Sequence, residues 1–538
     1  MAHTVREIER KYEAEAGGPA PDLTGLRSLR TLPGVAALEE RDPVTLDATY
    51  YDTADRRLAA DGVTLRRRTG GADQGWHLKL PVRTDAPAHP GGAGSVVRDE
   101  IRAPLADRIP DELAALVRSR ALDAPLAPLI RLRTRRRVGV LRDADGRGLA
   151  EISVDRVTAR RPGPDGGSRH RFTEVEVELA EGADPRLLDR VESRLTALGL
   201  RPATAASKFA RAVAETEPAD RAAPADRAEP GEPTGHPTAG DVVLGYAHRQ
   251  IDAIVALDPA VRLDAPDAVH RMRVATRRLR SVFRSYRRVL DRAVTDPLGA
   301  ELKWLAAELG VDRDLEVLTG RLGTALDGVP EQLRLGPVRA RLHIWSRARR
   351  GDSRARLLAV LDGERYLALL GALHGLTANP PAGPTGIPLL RPPAARPPER
   401  EIGRAVLRDF DRLAARIDTA RGLPAGPDRD TALHNARKAA KRARYAAETA
   451  QSWRGKPAKR LAKRLAKVQK LLGDHQDSVL ARAALREIAA QAQAAGESTF
   501  TLGLLHGREE ARATDDERAL PGLWAKVSRK KHRAALRP

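Results

Sequence analysis

Two short acidic alternations stand near the ends of the first two hundred residues: EIERK at residues 7–11 and TEVEVEL at residues 173–179. Successive side chains of a strand point to opposite faces. Glu7, Glu9 and Lys11 would therefore share one face, and Glu174, Glu176 and Glu178 another, with Val175, Val177 and Leu179 behind. Carboxylate oxygens at this density suit a hard divalent cation such as Mg²⁺ or Mn²⁺. Arg66 and Arg68 in TLRRRT, His77 and Lys79 in WHLKL, and Arg98 and Glu100 in VRDE alternate in the same way. Such cations neutralise the nonbridging oxygens of a reacting phosphate chain, and a metal-polarised water could attack its terminal phosphoryl group. On a solvated sheet the same alternation would amount to cross-strand salt bridges. Its recurrence in several strands argues instead for an enclosed polar tunnel, because burying so many charges without a ligand is prohibitive.

A second cluster lies further on. VHRMRVATRRLR at residues 269–280 holds five arginines and a histidine with no acid among them. Like charges one helical turn apart repel by roughly 0.2–0.5 kcal/mol per pair, so the run asks for an anionic partner. At helical spacing His270, Arg273, Arg277, Arg280 and Arg284 share one broad face, while Val269, Met272, Ala275, Leu279 and Phe283 can face a core. The stretch is echoed by LHNARKAAKRAR from Leu433, which repeats the stripe with His434, Arg437, Lys438, Lys441 and Arg444. Likewise LAAELGVDRDLEVL from Leu305 is echoed by LAKVQKLLGDHQDSVL from Leu465. The spacing agrees, with 44 residues from His270 to Asp314 and 43 from His434 to Asp477. This is the signature of an internal duplication. A charged stripe on a single helix is ordinarily a solvated face; two stripes related by duplication would merge into one electropositive surface suited to a repeating anion. Guanidinium groups grip phosphate oxygens bidentately and ammonium groups act as point charges. The histidines could be ligands, acids or interior groups that orient an arginine, of which the last is the preferred reading, and Asp314 and Asp477 are read as partners of the cations rather than catalysts.

The elements that must carry these groups follow from the period of the chain. Up to about residue 215 the pattern is strand-like, with short alternating segments between Gly, Pro and Asp turn signals, which predicts a sandwich or barrel. Residues 214–240 read as a Pro/Ala-rich linker. Beyond it the period is helical, broken by a Pro-rich segment at residues 379–400, and the tail at 521–538 is basic. The loop PVRTDAPAHPGGAGS at residues 81–95 reads as a hairpin connection. At 538 residues two or more domains are expected. The absence of cysteine excludes disulfides and thiolate chemistry, leaving carboxylates and histidines as metal ligands. With no apolar run of spanning length and a charged start, the expectation is a soluble cytoplasmic protein. A net charge of +22 attracts polyanions in general. Only 3% of residues are aromatic, which weakens the single-stranded nucleic-acid reading, and no nucleic-acid recognition motif is present.

Residues 1–213 resemble the CYTH family, the triphosphate tunnel metalloenzymes, on the opening E-x-E-x-K, YYDT at residues 50–53, LRRR at 65–68, WHLKLP at 76–81, TEVEVEL, and SKF at 207–209. The resemblance implies an antiparallel β-barrel tunnel with flanking helices and Mg²⁺- or Mn²⁺-dependent triphosphatase chemistry. It implies Glu7, Glu9, Glu174 and Glu176 as metal-binding acids with Asp155 and Glu178 in support, and Glu7, Glu9 and Lys11 as the catalytic group. Lys11, Arg66, Arg68, Lys79, Arg98 and Lys208 would hold triphosphate, together with Arg136, or Arg135 if the register slips by one. Residues 241–520 resemble the CHAD family, the conserved-histidine α-helical domain, on VH-x-MRV-x-x-RRLR and LH-x-x-RK-x-x-KR-x-RY with the following LG-x-x-RD and LG-x-x-QD. That resemblance implies an all-α domain of two pseudo-symmetric four-helix bundles that binds inorganic polyphosphate through His270, Arg273, Arg277, Arg280, His434, Arg437, Lys438, Lys441 and Arg444. The whole is then a multidomain α+β protein. Its expected activity is metal-dependent hydrolysis of inorganic triphosphate or polyphosphate ends. The alternatives are a non-catalytic polyphosphate scaffold, which would sit on polyphosphate granules, and an enzyme for a nucleoside or thiamine triphosphate or for ATP cyclisation.

Overall fold

The computed structural model describes residues 3–14, 22–82, 96–162, 168–216, 237–378, 381, 383 and 386–537. The chain divides into two compact units, Met1–Glu229 and Pro230–Pro538. Most of the linker segment and of the 81–95 loop lies outside the described residues.

In the first unit the strands are β1 (His3–Ala14), β2 (Ala37–Glu40), β3 (Val44–Asp52), β4 (Thr64–Thr69), β5 (Gly75–Pro81), β6 (Val96–Ala103), β7 (Ala127–Arg142), β8 (Gly148–Arg160), β9 (Arg169–Leu179) and β10 (Leu200–Pro202). Eight of them close a ring in the order β1-β6-β5-β4-β3-β7-β8-β9, with β9 returning to β1 and every pairing antiparallel. β10 extends β1, and β2 pairs with β7 at the rim. Where helices cover the barrel the outward residues are apolar. α3 (Arg186–Ala197) and a 3-10 turn at Gly25–Thr31 cover Ile152, Val154, Val175 and Val177. α1 (Arg57–Ala60) and α2 (Asp111–Ala121) cover Leu65, Trp76, Leu78 and Ile101.

The inner face has two zones. Acids and bases line the part open to the mouth, whereas Ala48, Tyr50, Ile130, Leu132, Val157, Ala159 and Phe172 form an apolar cluster at the far end. α4 (Lys208–Glu215) caps that end, with Phe209 stacked on Tyr50 at 5.1 Å and Ala212 and Val213 in the same cluster. Ser207 starts this helix, its hydroxyl oxygen accepting from the Ala210 amide. The helix start therefore fixes where Lys208 enters the bore.

The second unit is all-helical: α5 (Ala239–Arg262), α6 (Ala268–Ser285), α7 (Arg292–Glu308), α8 (Val311–Asp327), α9 (Val338–Arg350), α10 (Ser353–Asp362), α11 (Glu364–Gly375), α12 (Arg404–Gly422), α13 (Pro427–Thr449), α14 (Gln451–Ala494) and α15 (Phe500–Val527). α6 buries Met272, Ala275, Leu279 and Phe283, the face expected of it, and lies against α13. Helices α8 and α9 of the first repeat pack with α14 and α15 of the second around Leu322, Trp345, Leu485 and Leu505. α15 runs through Val527, so the tail expected from residue 521 begins later. Trp524, Val527 and Leu536 are buried, and Arg533 stacks on Phe410 at 4.1 Å, so apolar contact holds this end of the chain to the unit. No helix among the described residues is long and apolar enough to cross a membrane.

Candidate functional site in the barrel and on the helical unit

The strand register gathers the alternating charges into one cavity of about 740 Å³. Cross-strand pairs place Arg98 opposite Glu7, Arg66 opposite His77, Lys79 opposite Glu100 and Arg136 opposite Asp155. On the other side Glu9 faces Glu178, Lys11 faces Glu176, and Asp155 faces Glu174. The result is two walls. β4, β5 and β6 carry Arg66, Arg68, Lys79, Arg98 and Arg102 around a single acid, Glu100; β8, β9 and β1 carry Glu151, Asp155, Glu174, Glu176, Glu178, Glu7 and Glu9 around a single base, Lys11. Much of both walls is buried, with Glu7 and Glu9 3% exposed and Arg68 and Arg98 5%, while Arg102 and Glu151 stand at the open mouth.

In this arrangement cations reach across to the acidic wall. Lys208 contacts Asp155 at 2.9 Å, Glu174 at 3.2 Å and Glu176 at 2.5 Å. Arg136 donates to both Asp155 oxygens at 2.8 and 2.7 Å and to Glu176 at 3.0 Å. Lys11 bonds Glu176 and lies 3.4 Å from Glu9, and Lys79 holds Glu7 at 2.5 Å. Arg136 points inward and Arg135 is exposed, so the register places Arg136 in the bore. Tyr50, Asp73 and Arg102 also line the cavity and were not singled out as site residues, and Glu100, read from the sequence only as the companion of Arg98 in the alternation, lines it as well. The signal for Glu100 was its place two residues beyond Arg98; the adjacent tyrosines 50 and 51 gave no parity.

The fields are uneven. Burial pushes the Glu7 carboxyl up despite Lys79, and burial with Glu7 nearby pushes Glu178 up to about 7. Burial would raise Glu9 and Glu176 as well, but Lys11 overrides it in both, helped at Glu176 by Lys208 and Arg136. Several buried atoms have no hydrogen-bond partner: Glu9 Oε1, both Glu174 oxygens, and Nε of Arg66, Arg68 and Arg98. Lys208 lies 3.2 Å from Glu174 Oε1 and Lys11 3.4 Å from Glu9 Oε1, so these acids keep lone pairs that a hard cation could take, and the Nε donors left without an acceptor on the other wall fit an oxyanion. A trio with donor atoms within 4.8 Å of one another occurs elsewhere, at Asp430, His475 and Glu517. There Arg482 and Arg429 already neutralise the acids at 3.2 and 3.0 Å, making it an ion-pair network.

On the helical unit α6 and α13 bring Arg273, Arg277, Arg437 and Lys441 into mutual range. Burial first, then Arg437, Arg277 and Arg273, push the Lys441 ammonium down to about 7. Nε atoms of Arg273, Arg277, Arg280 and Arg437 and Nδ1 of His434 are buried without a partner. Arg273 pairs with Asp314 at 2.6 and 2.8 Å. Its guanidinium rests on Gly310, where an added Cβ would lie 2.8 Å from Nη2; the Arg437 guanidinium rests in the same way on Gly473. The duplicated LG motif thus supplies a seat for one arginine in each repeat. His434 neighbours Lys438, Arg437 and Gln476, and His270 neighbours Asp267 and Arg313. Arg280 stands apart beside Arg284, and Arg444 turns to Glu448 at 2.8 Å and Gln469 at 3.4 Å.

Comparison with known proteins agrees with this division. The CYTH domain matches residues 6–210 and the CHAD domain residues 245–486. An uncharacterised protein of Mycobacterium tuberculosis is 37% identical over 521 residues, covering 94% of this chain and 92% of its own. Among solved structures, PptA from Streptomyces chartreusis aligns at 21% identity and TM-score 0.44 over 54% of this chain and 99% of its own. The CHAD domain from the plant Ricinus communis aligns at 25% identity and TM-score 0.41 over 55% and 92%. The chain belongs to the CYTH family through its barrel and to the CHAD family through its helices.

Proposed function

We propose that the barrel is a metal-dependent hydrolase of inorganic triphosphate or polyphosphate ends and that the helical unit captures the polymer. The observation that carries this reading is the division of one cavity, most of its charged lining buried, into a cationic and a carboxylate wall, each with buried atoms that make no hydrogen bond. Arg66, Arg68, Lys79, Arg98, Arg136 and Lys208 would bind the phosphate oxygens. Lys11, between Glu9 and Glu176, would hold the terminal phosphoryl group against the acidic wall. Glu7, Glu9, Glu174 and Glu176, supported by Asp155 and Glu178, would hold Mg²⁺ or Mn²⁺, which supplies Lewis acidity and charge neutralisation. Burial of most of these groups strengthens their interactions relative to water. Tethering a binder to a hydrolase raises local substrate concentration where the linker permits.

The test is phosphate release from tripolyphosphate with either metal, comparing the intact chain with Glu9→Gln. The expected result is metal-dependent release that the substitution abolishes. No release from the intact chain, with polyphosphate still bound, would replace the enzyme by a binding scaffold.

A further inference from the structure

We propose that the exposed face of α14 is a second anion-binding surface, continuing the α6/α13 face into a track for a linear phosphate polymer longer than a triphosphate. The proposal rests on the polyphosphate reading of the helical unit.

Between Glu448 and Asp474 the chain has no acid. At about 100° per residue, Lys456, Lys459, Arg460, Lys463, Lys467 and Lys470 fall within an arc of about 100°. All six are exposed. From Lys456 to Lys470 the stripe runs about 21 Å at ~1.5 Å per residue. Gly455 is non-helical, at φ 42°, and the helix restarts immediately after it. Lys456 and Lys459 thus stand in a first turn, where the helix dipole disfavours positive charge.

A solvated face would balance such charges, and elsewhere this unit does so. Arg341 pairs with Glu497, Arg349 with Glu487, Arg356 with Glu308 and Arg365 with Glu301. Among the described residues none of the six α14 cations pairs with an acid. The stripe also has a direction. Gly473 follows three residues after Lys470, beside this arc, and seats the Arg437 guanidinium of α13, so the row of cations ends at the basic face already described. At the flank, the turn at Lys530–His532 packs on α14 and sets His532 near Arg464.

The chemistry selects the polymer. The arc holds no aromatic side chain on which bases could stack, and its apolar neighbours Leu461, Leu465 and Leu472 are buried, leaving nothing to insert into a bilayer. Lysines dominate, and they grip a flexible chain as point charges without demanding a fixed geometry.

The test uses the full chain carrying Lys459→Gln, Lys463→Gln and Lys467→Gln together, with long-chain polyphosphate and tripolyphosphate titrated across a salt series. The slope of log K against log salt for the long chain should fall by about 2, since three lysines no longer neutralise phosphates at ~0.7 each. Its low-salt affinity should fall at least tenfold, with tripolyphosphate binding and the thermal melt unchanged. Unchanged slope and affinity for the long chain, or equal losses for both ligands, would overturn the track. Displacement by an RNA oligomer as effective as by polyphosphate would overturn the choice of polymer. Failure of the intact chain to bind long polyphosphate would instead remove the underlying reading of the helical face.

Discussion

Replacing Lys441 by Met should stabilise the empty helical unit while weakening its grip on polyphosphate. A free lysine titrates near 10.4, and each pH unit is about 1.4 kcal/mol. Burial beside Arg437, Arg277 and Arg273 pushes Lys441 down to about 7, so holding it charged in the fold at neutral pH costs at most about 5 kcal/mol. Residual solvent screening reduces the recoverable part to ~1–3 kcal/mol. Methionine keeps the stem and discards the charge. In the wild type the unfolded chain holds the lysine proton up to about 10.4 and the folded chain releases it above about 7. The unfolded state binds more protons in that window, so wild-type stability gains with rising pH there, and the full penalty applies below it. The Lys441→Met advantage in thermal melts should therefore be largest at pH 6 to 7 and fade towards pH 10. A bound anion favours the charged lysine, so calorimetry at pH 8 in buffers of different ionisation enthalpy should show proton uptake with the wild type and less with the variant. A variant less stable than wild type at pH 6, or a difference that grows with pH, would refute the argument that like charge and burial strain this face.

Two further substitutions probe the seats of the charges. Asp155→Asn keeps the shape of a fully buried carboxylate but removes the partner of Arg136 and Lys208, and should destabilise the barrel by about 3 kcal/mol; an unchanged melt would show that Glu174 and Glu176 suffice. Tripolyphosphate should restore part of the loss by offering those cations another anion. Gly310→Ala should weaken polyphosphate binding several-fold, because its Cβ would displace Arg273, whereas Gly473→Ala, at an ordinary 3.5 Å from Arg437, should be silent in a binding titration.

Much of the barrel was legible because a strand writes its two faces alternately. Residues 7–11 and 173–179 announced which side chains point together, and the pairing of β1 with β9 brings Lys11 onto Glu176. The run RTRRRV could not say which arginine points inward, since consecutive like residues carry no parity; the pairing of Arg136 with Asp155 fixes it. The apolar end of the bore was hidden for another reason. Leu132, Val157 and Phe172 occupy inward positions but are the residue types that an outward, helix-covered face uses, and only the presence of α4 distinguishes the two. On the helices, periodicity separated the core face from the basic face of α6. The i,i+4 spacing of Arg444 and Glu448 was equally open to view, but periodicity could not show that α8 and α9 of the first repeat would share a core with α14 and α15 of the second.

The stack of Phe209 on Tyr50 has a bearing on how a polymer could be consumed. With one end stoppered, the barrel is a cul-de-sac. On the proposed activity a chain can offer only its terminus, and bonds in its middle never arrive at the carboxylates. Whatever is cut must back out through the doorway by which it came before the next end can enter. Degradation would then shorten all chains in a population gradually rather than erase them one at a time, and a mixture caught midway would show a moving distribution of lengths.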